Sequence, residues 1–207
     1  MSDFGKLASR EAIERTVAAL RANGIEASVA ATGAEAAKQV LAMIPAGSEV
    51  FTASSITLEQ TGISKELNES GRYQAVKPKL YSMDPKTQGR EMRKLGAAPD
   101  VVVGSAHAVT EGGSVLVASL TGSQLPAYAY GAGSLIWVVG AQKLVKDVEE
   151  GMRRIEEKVV PLESERARAA YGLPEGFRTF ASKVLIFNRE VQGGRVKMVI
   201  VEESLGF

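Results

Sequence analysis

Two short polar stretches carry the residue types that could hold a small charged ligand. Ser54, Ser55 and Thr57 follow the apolar run Val50-Phe51-Thr52-Ala53 and open a helical pattern in which Thr57 and Gln60 have capping-box spacing. Hydroxyls and unpaired amides at such a strand-to-helix junction suit a carboxylate or a phosphate, and Glu59 lies in the same stretch. Plain helix capping by Ser55 or Thr57 is the competing explanation. The second stretch runs from Gly104 to Gly113 and contains His107, Thr110, Glu111 and Gly112. Glu111 beside two flexible glycines is open to close approach by a ligand, and its carboxylate suits an acid, a base or a nucleophile. A glycine turn carrying one solvated acid is the plainer alternative. His107 is either a proton carrier or a lone histidine satisfied by hydrogen bonding. Lys143, after Gly140-Ala141-Gln142, ends a strand pattern, either within reach of an anion or simply solvated.

What is missing narrows the chemistry. With no cysteine in the chain, disulfides, thiolate catalysis and cysteine-ligated clusters are excluded, and the single histidine has no triad context. No spacing argues for a metal site, and no cofactor is expected. Gly131-Ala132-Gly133-Ser134 precedes its strand and lacks a third glycine, so it is no dinucleotide loop, and no Walker A spelling occurs. Twenty-five basic against 24 acidic residues, with no long single-sign block, give no footprint for nucleic acid. The run from Leu135 to Ala141 is far too short to span a bilayer. Met1-Ser2-Asp3-Phe4-Gly5-Lys6 leads into no apolar region, so no secretory leader and a cytoplasmic location are expected.

The elements that must position these residues alternate between helical and strand patterns along one domain, 1–207. Ile13, Val17 and Leu20 mark a helix over 8–23, followed by a strand over 25–31. A second helix runs over 33–44 and is stopped by Pro45 and Gly47. A helix over 57–71 follows the first polar stretch, and another opens at Asp84-Pro85 and reaches Gly96. Strands are expected at 100–104, 114–117 and 135–140, and a helix from the stripe Val145, Val148, Met152, Ile155 and Val159. A loop over 161–180 then leads to a terminal hairpin, with Lys183 to Glu190 and Arg195 to Val201 flanking Gln192-Gly193-Gly194.

Taken together, Thr52 to Ile63, Asp100 to Gly104, Thr110-Glu111-Gly112-Gly113-Ser114 and Val138 to Lys143 resemble the LUD-domain family, which includes the lactate utilization protein C group. The resemblance covers roughly residues 10–160. It implies an α/β fold like that of ribose-5-phosphate isomerase, glucosamine-6-phosphate deaminase and the CoA transferases: three layers, a mostly parallel sheet with helices on both faces, and here a C-terminal hairpin. It further implies a small carboxylate or phosphorylated ligand held by Ser54, Ser55, Thr57, Glu59, Thr110, Gly112, Gly113 and Lys143, with Glu111 as the catalytic candidate. The implied role is that of a cluster-free subunit working beside iron–sulfur proteins that oxidise L-lactate to pyruvate. The alternative is a stand-alone enzyme of CoA-transferase or sugar-phosphate isomerase type using Glu111. A third reading makes the chain an interaction protein, with the 145–159 helix and the hairpin docking partners or a second copy.

Overall fold

Where a strand is apolar at every position, both of its faces must be covered, and that is the condition of strands inside a parallel sheet. The computed structural model, which describes residues 4–207, places six strands in one all-parallel sheet. They are β1 (Glu26–Ala30), β2 (Glu49–Thr52), β3 (Gln74–Ala75), β4 (Val101–Gly104), β7 (Ser134–Gly140) and β10 (Val196–Val201), in the order β1-β10-β7-β4-β2-β3. A smaller sheet has the order β8-β5-β6-β9, from β5 (Ala108–Thr110), β6 (Val115–Ser119), β8 (Leu144–Val145) and β9 (Lys183–Phe187). The expectation about the leader falls partly on residues 1–3, which lie outside the described residues.

The two-residue period of the strands sorts the core into two halves. Leu135, Trp137 and Val139 face one side with Met198 and Ile200, whereas Ile136 and Val138 face the other with Val199 and Val201. The first side is covered by α1 (Arg10–Ala22), by Val76 of α5 (Val76–Ser82) and by the small sheet. The second is covered by α2 (Gly33–Ala42), α3 (Ile56–Gln60) and α4 (Ile63–Glu69). Asp84 caps α6 (Pro85–Ala97), as its spelling predicts. Behind the small sheet, Ile155 and Val160 pack on Ala108, Leu116 and Val145. The architecture is thus a mostly parallel α/β sheet with helices on both faces.

Three expectations need correction. The terminal hairpin does not form: β9 pairs antiparallel with β6 in the small sheet, while β10 enters the large sheet parallel to both β1 and β7. The reason is burial. Five of the six β10 residues are buried, which suits the middle of a sheet, whereas β9 is mostly exposed or half-buried and forms an edge. The expected helix over 57–71 is two helices, broken where Gly62 takes a left-handed φ of 75°, and its cap is Ser55, which accepts from the Leu58 N–H. The expected loop from Pro161 is helical as far as Tyr171: α7 (Val148–Arg154) passes through a π-turn (Ile155–Val159) into α8 (Val160–Tyr171). The wide turn lets Pro161 sit in the first turn of α8, where its missing N–H costs nothing.

Candidate functional site

Ligands of open α/β sheets collect beyond the carboxyl ends of the strands. Here β2, β4 and β7 are involved, and the segments leaving them, Ala53–Ser55, Ser105–His107 and Ala141–Lys143, meet at a cavity of about 520 Å³. Ser119 at the end of β6, Arg166 of α8 and Phe207 complete its wall.

Lys143 is the centre of the site. A single 3-10 turn carries the chain from β7 back beneath the cavity and leaves this lysine 2% exposed. Its Nζ donates to Thr57 Oγ1 at 3.0 Å and to Ser105 Oγ at 3.1 Å. Thr57 gives its own proton to the Leu205 carbonyl, and Ser105 lies in donating range of the Ala106 carbonyl, so both hydroxyls offer lone pairs to the lysine. Lys143 forms no ion pair among the described residues. Burial, assisted by the charge of Arg154, lowers its pKa to about 7.

Arg154 is fully buried on α7 and donates through Nη1 to the His107 carbonyl, while its Nε and Nη2 have no hydrogen-bond partner among the described residues. Half-buried His107 accepts the Ala118 N–H at Nδ1 over 3.0 Å. Burial, with Lys143 and Arg154 adding to it, drives its pKa down to about 3, so the ring is neutral near pH 7 and its proton sits on Nε2. Burial also raises the Tyr128 phenol, which stays a protonated donor in the cavity wall. The inner end of the site therefore holds Lys143, hydroxyls and neutral donors, with the buried Arg154 behind it on the His107 carbonyl. Its side-chain carboxylates, Glu59 and Glu163, lie among the exposed and half-buried lining, and Glu163 is forked onto Arg166 at 2.6 and 2.7 Å.

The residues near the end of the chain complete the wall. Gln142 Nε2 donates to the Leu205 carbonyl at 2.9 Å, and the Gly206 N–H donates to Gln60 Oε1 at 2.7 Å. Gly206 has a φ of 63°, and a Cβ there would lie 2.4 Å from Thr57 Oγ1 and 3.2 Å from Lys143 Nζ. Only glycine lets the segment pass so close to the lysine.

The structure brings Ser54, Ser55, Thr57, Glu59 and Lys143 together at the cavity and leaves Thr110, Glu111, Gly112 and Gly113 off it. The expected meeting of the two polar stretches is thus corrected. Glu111 pairs with Arg15 of α1 at 3.0 Å on the surface. The glycines beside it serve packing: Asn23 Nδ2 donates to the Gly112 carbonyl, and a Cβ on Gly113 would lie 2.9 Å from the backbone of Ala19 and Leu20. His107, Ser105, Arg154, Gln142 and Gly206 enter the site or its support without having been singled out as ligand-binding residues. For Ser105 and His107 the signal was their place directly after β4.

A parallel sheet with a buried lysine and hydroxyls gathered beyond adjacent strand ends defines an α/β domain with a polar cavity at its strand ends. Residues 13–172 match the LUD domain model, and the chain belongs to the LUD-domain family. Among solved structures it is similar to a DUF162 family protein from Deinococcus radiodurans, with a TM-score of 0.54 at 14% identity, covering 95% of this chain and 99% of that one. That likeness concerns the fold. No curated protein matches the chain.

Proposed function

We propose that the cavity binds a small carboxylate and that the chain serves organic-acid utilization as a cluster-free subunit supporting the oxidation of L-lactate to pyruvate. The carrying observation is Lys143, a buried cation that opens on the cavity and has no carboxylate partner among the described residues. A buried charge costs several kcal/mol unless it is compensated, and an entering carboxylate supplies the compensation. Ser54 and Ser55 add hydroxyls to the same cavity wall. Membership of a family associated with lactate utilization favours lactate and pyruvate among carboxylates. Without cysteine the chain cannot hold a cysteine-ligated cluster, so redox steps of such a pathway fall to iron–sulfur partner subunits. The reading places this protein in the cytoplasm with those partners.

Calorimetric titration with L-lactate and with pyruvate tests the reading. Saturable heat is expected, lost in Lys143→Met and kept in Glu111→Gln. Because the bound carboxylate raises the lysine pKa from about 7, binding at pH 7.5 takes up protons, and the apparent enthalpy differs between buffers of unlike ionisation heat. Equal heats with wild type and Lys143→Met, or no heat with any small acid, would overturn it.

A further inference from the structure

We infer that Lys143 is a nucleophilic amine that condenses with small 2-oxo acids in this cavity, a reading that rests on carboxylate binding there and names the carbonyl class it serves.

The hydrogen-bond inventory around the nitrogen carries the argument. An amine nitrogen has four tetrahedral positions, one of them the bond to its own side chain. Thr57 and Ser105, both acting as acceptors, take two N–H groups. The remaining position, on a residue that lines the cavity, holds a third proton in the ammonium and a lone pair in the neutral amine. An ordinary surface lysine keeps that proton because water or a carboxylate stabilises it. Lys143 is 2% exposed and forms no ion pair among the described residues.

Arg154 adds the second condition. It is fully buried with two of its nitrogens unpartnered, yet a guanidinium holds its proton far more firmly than an ammonium, so the conflict between two buried cations is relieved at the lysine. Burial and Arg154 place the pKa of Lys143 at about 7, so both the anion-binding ammonium and the nucleophilic amine are present near neutral pH. Arg154 acts through Lys143 and is a positioning residue. It also selects the carbonyl compound, because after condensation the iminium and Arg154 both remain positive, and a carboxylate on the same molecule offsets them where a neutral aldehyde would not.

The step balances without oxidant or reductant. The lysine lone pair forms the N–C bond, and the carbonyl π pair moves onto oxygen, which takes a proton from the new ammonium through solvent or a neighbouring hydroxyl. The carbinolamine hydroxyl then takes a proton from the medium and leaves as water while the nitrogen lone pair forms the C=N bond, which leaves a positive iminium that keeps one N–H at Nζ. His107 and Tyr128 line the same cavity as neutral, protonated groups and add no charge to it.

Reductive trapping of the full chain tests the inference: pyruvate with sodium cyanoborohydride, followed by intact-mass measurement and peptide mapping. One adduct per chain is expected, adding the mass of pyruvate less one oxygen and mapping to Lys143. It should be absent with L-lactate and absent from the Lys143→Met variant. An unmodified Lys143, or labelling spread over exposed lysines without preference for Lys143, overturns the imine. In that event retained lactate heat leaves carboxylate binding standing, and lost lactate heat sinks both readings. An adduct on Lys143 without lactate heat upholds the amine and overturns lactate as a ligand. Should Lys143→Met fail to fold, Thr57→Val, which removes one of the two acceptors, is expected to lower trapping at Lys143 severalfold while labelling of surface lysines is unchanged.

Discussion

Two buried arginines in this molecule are treated in opposite ways. Arg195, 6% exposed, is forked into a complete set of partners: Glu190 at 2.6 Å and the carbonyls of Tyr128, Ala129 and Ala132. Arg154, fully buried, has one carbonyl and two unpartnered nitrogens, and its charge is felt by Lys143, which is itself without a carboxylate. Both lie within the same small fold, so the difference is not one of available acids. Where the cation braces the chain between β9 and β10 the counter-charge is built in; where it stands behind a cavity the counter-charge is withheld. A buried charge that stability alone would pair or delete is the mark of a place reserved for something else.

Substitutions of matched kind sharpen that contrast. The largest effect is expected from Arg195→Met, which strands the Glu190 carboxylate and three carbonyls and costs about 3–5 kcal/mol in urea unfolding. The same change at Arg154 is expected to go the other way and raise stability by about 1 kcal/mol or more, since it removes a charge that no carboxylate among the described residues offsets. A loss of stability in Arg154→Met as large as that in Arg195→Met would erase the distinction drawn here.

The pH dependence comes next. Lys143 has a folded pKa near 7 against an ordinary 10.5, so between those values the unfolded chain holds the extra proton and stability rises with pH, by up to about 1.4 kcal/mol per unit. His107 behaves alike on the acid side: with a folded value near 3 against 6.5, stability falls as pH drops below 6.5. Unfolding curves for wild type and Lys143→Met between pH 7 and 10 should converge toward the alkaline end, and parallel curves would contradict a buried lysine that no carboxylate among the described residues pairs. The smallest effect is expected at Glu111. Its exposed pair with Arg15 is worth about 0–1 kcal/mol, so Glu111→Gln should leave both unfolding and lactate heat nearly unchanged.

Much of this arrangement could be read from residue order, and the failures have identifiable causes. Apolar runs such as Val101–Val103 and Leu135–Val139 mark central strands because parallel strands are covered on both faces. The same rule applied to Val196–Val201 would have removed the hairpin, but Gly193-Gly194 looks alike whether two strands return to one sheet or divide between two. At the site, the strand-end rule places Ser54, Ser55, Thr57 and Lys143 at the cavity. It fails for Glu111 because Gly112 and Gly113 are there to let the turn lie against α1. Arg154 was hidden by its neighbours. In a helix so rich in charge it reads as solvated, and its inward turn depends on how closely α7 approaches the small sheet at Gly151, where a Cβ would lie 2.9 Å from a Leu116 methyl.

The position of β10 ties assembly of the cavity to the order in which the chain is made. β1 touches the large sheet only through β10, a strand that emerges some 170 residues after it. Until that late segment lies between β1 and β7, the early strand has no strand partner, and such distant pairing is slow to form. The stretch just beyond β10 also carries Leu205 and Gly206 to Thr57 and Gln142. β10 and the stretch after it thus add both the neighbour of β1 in the sheet and the last wall of the pocket.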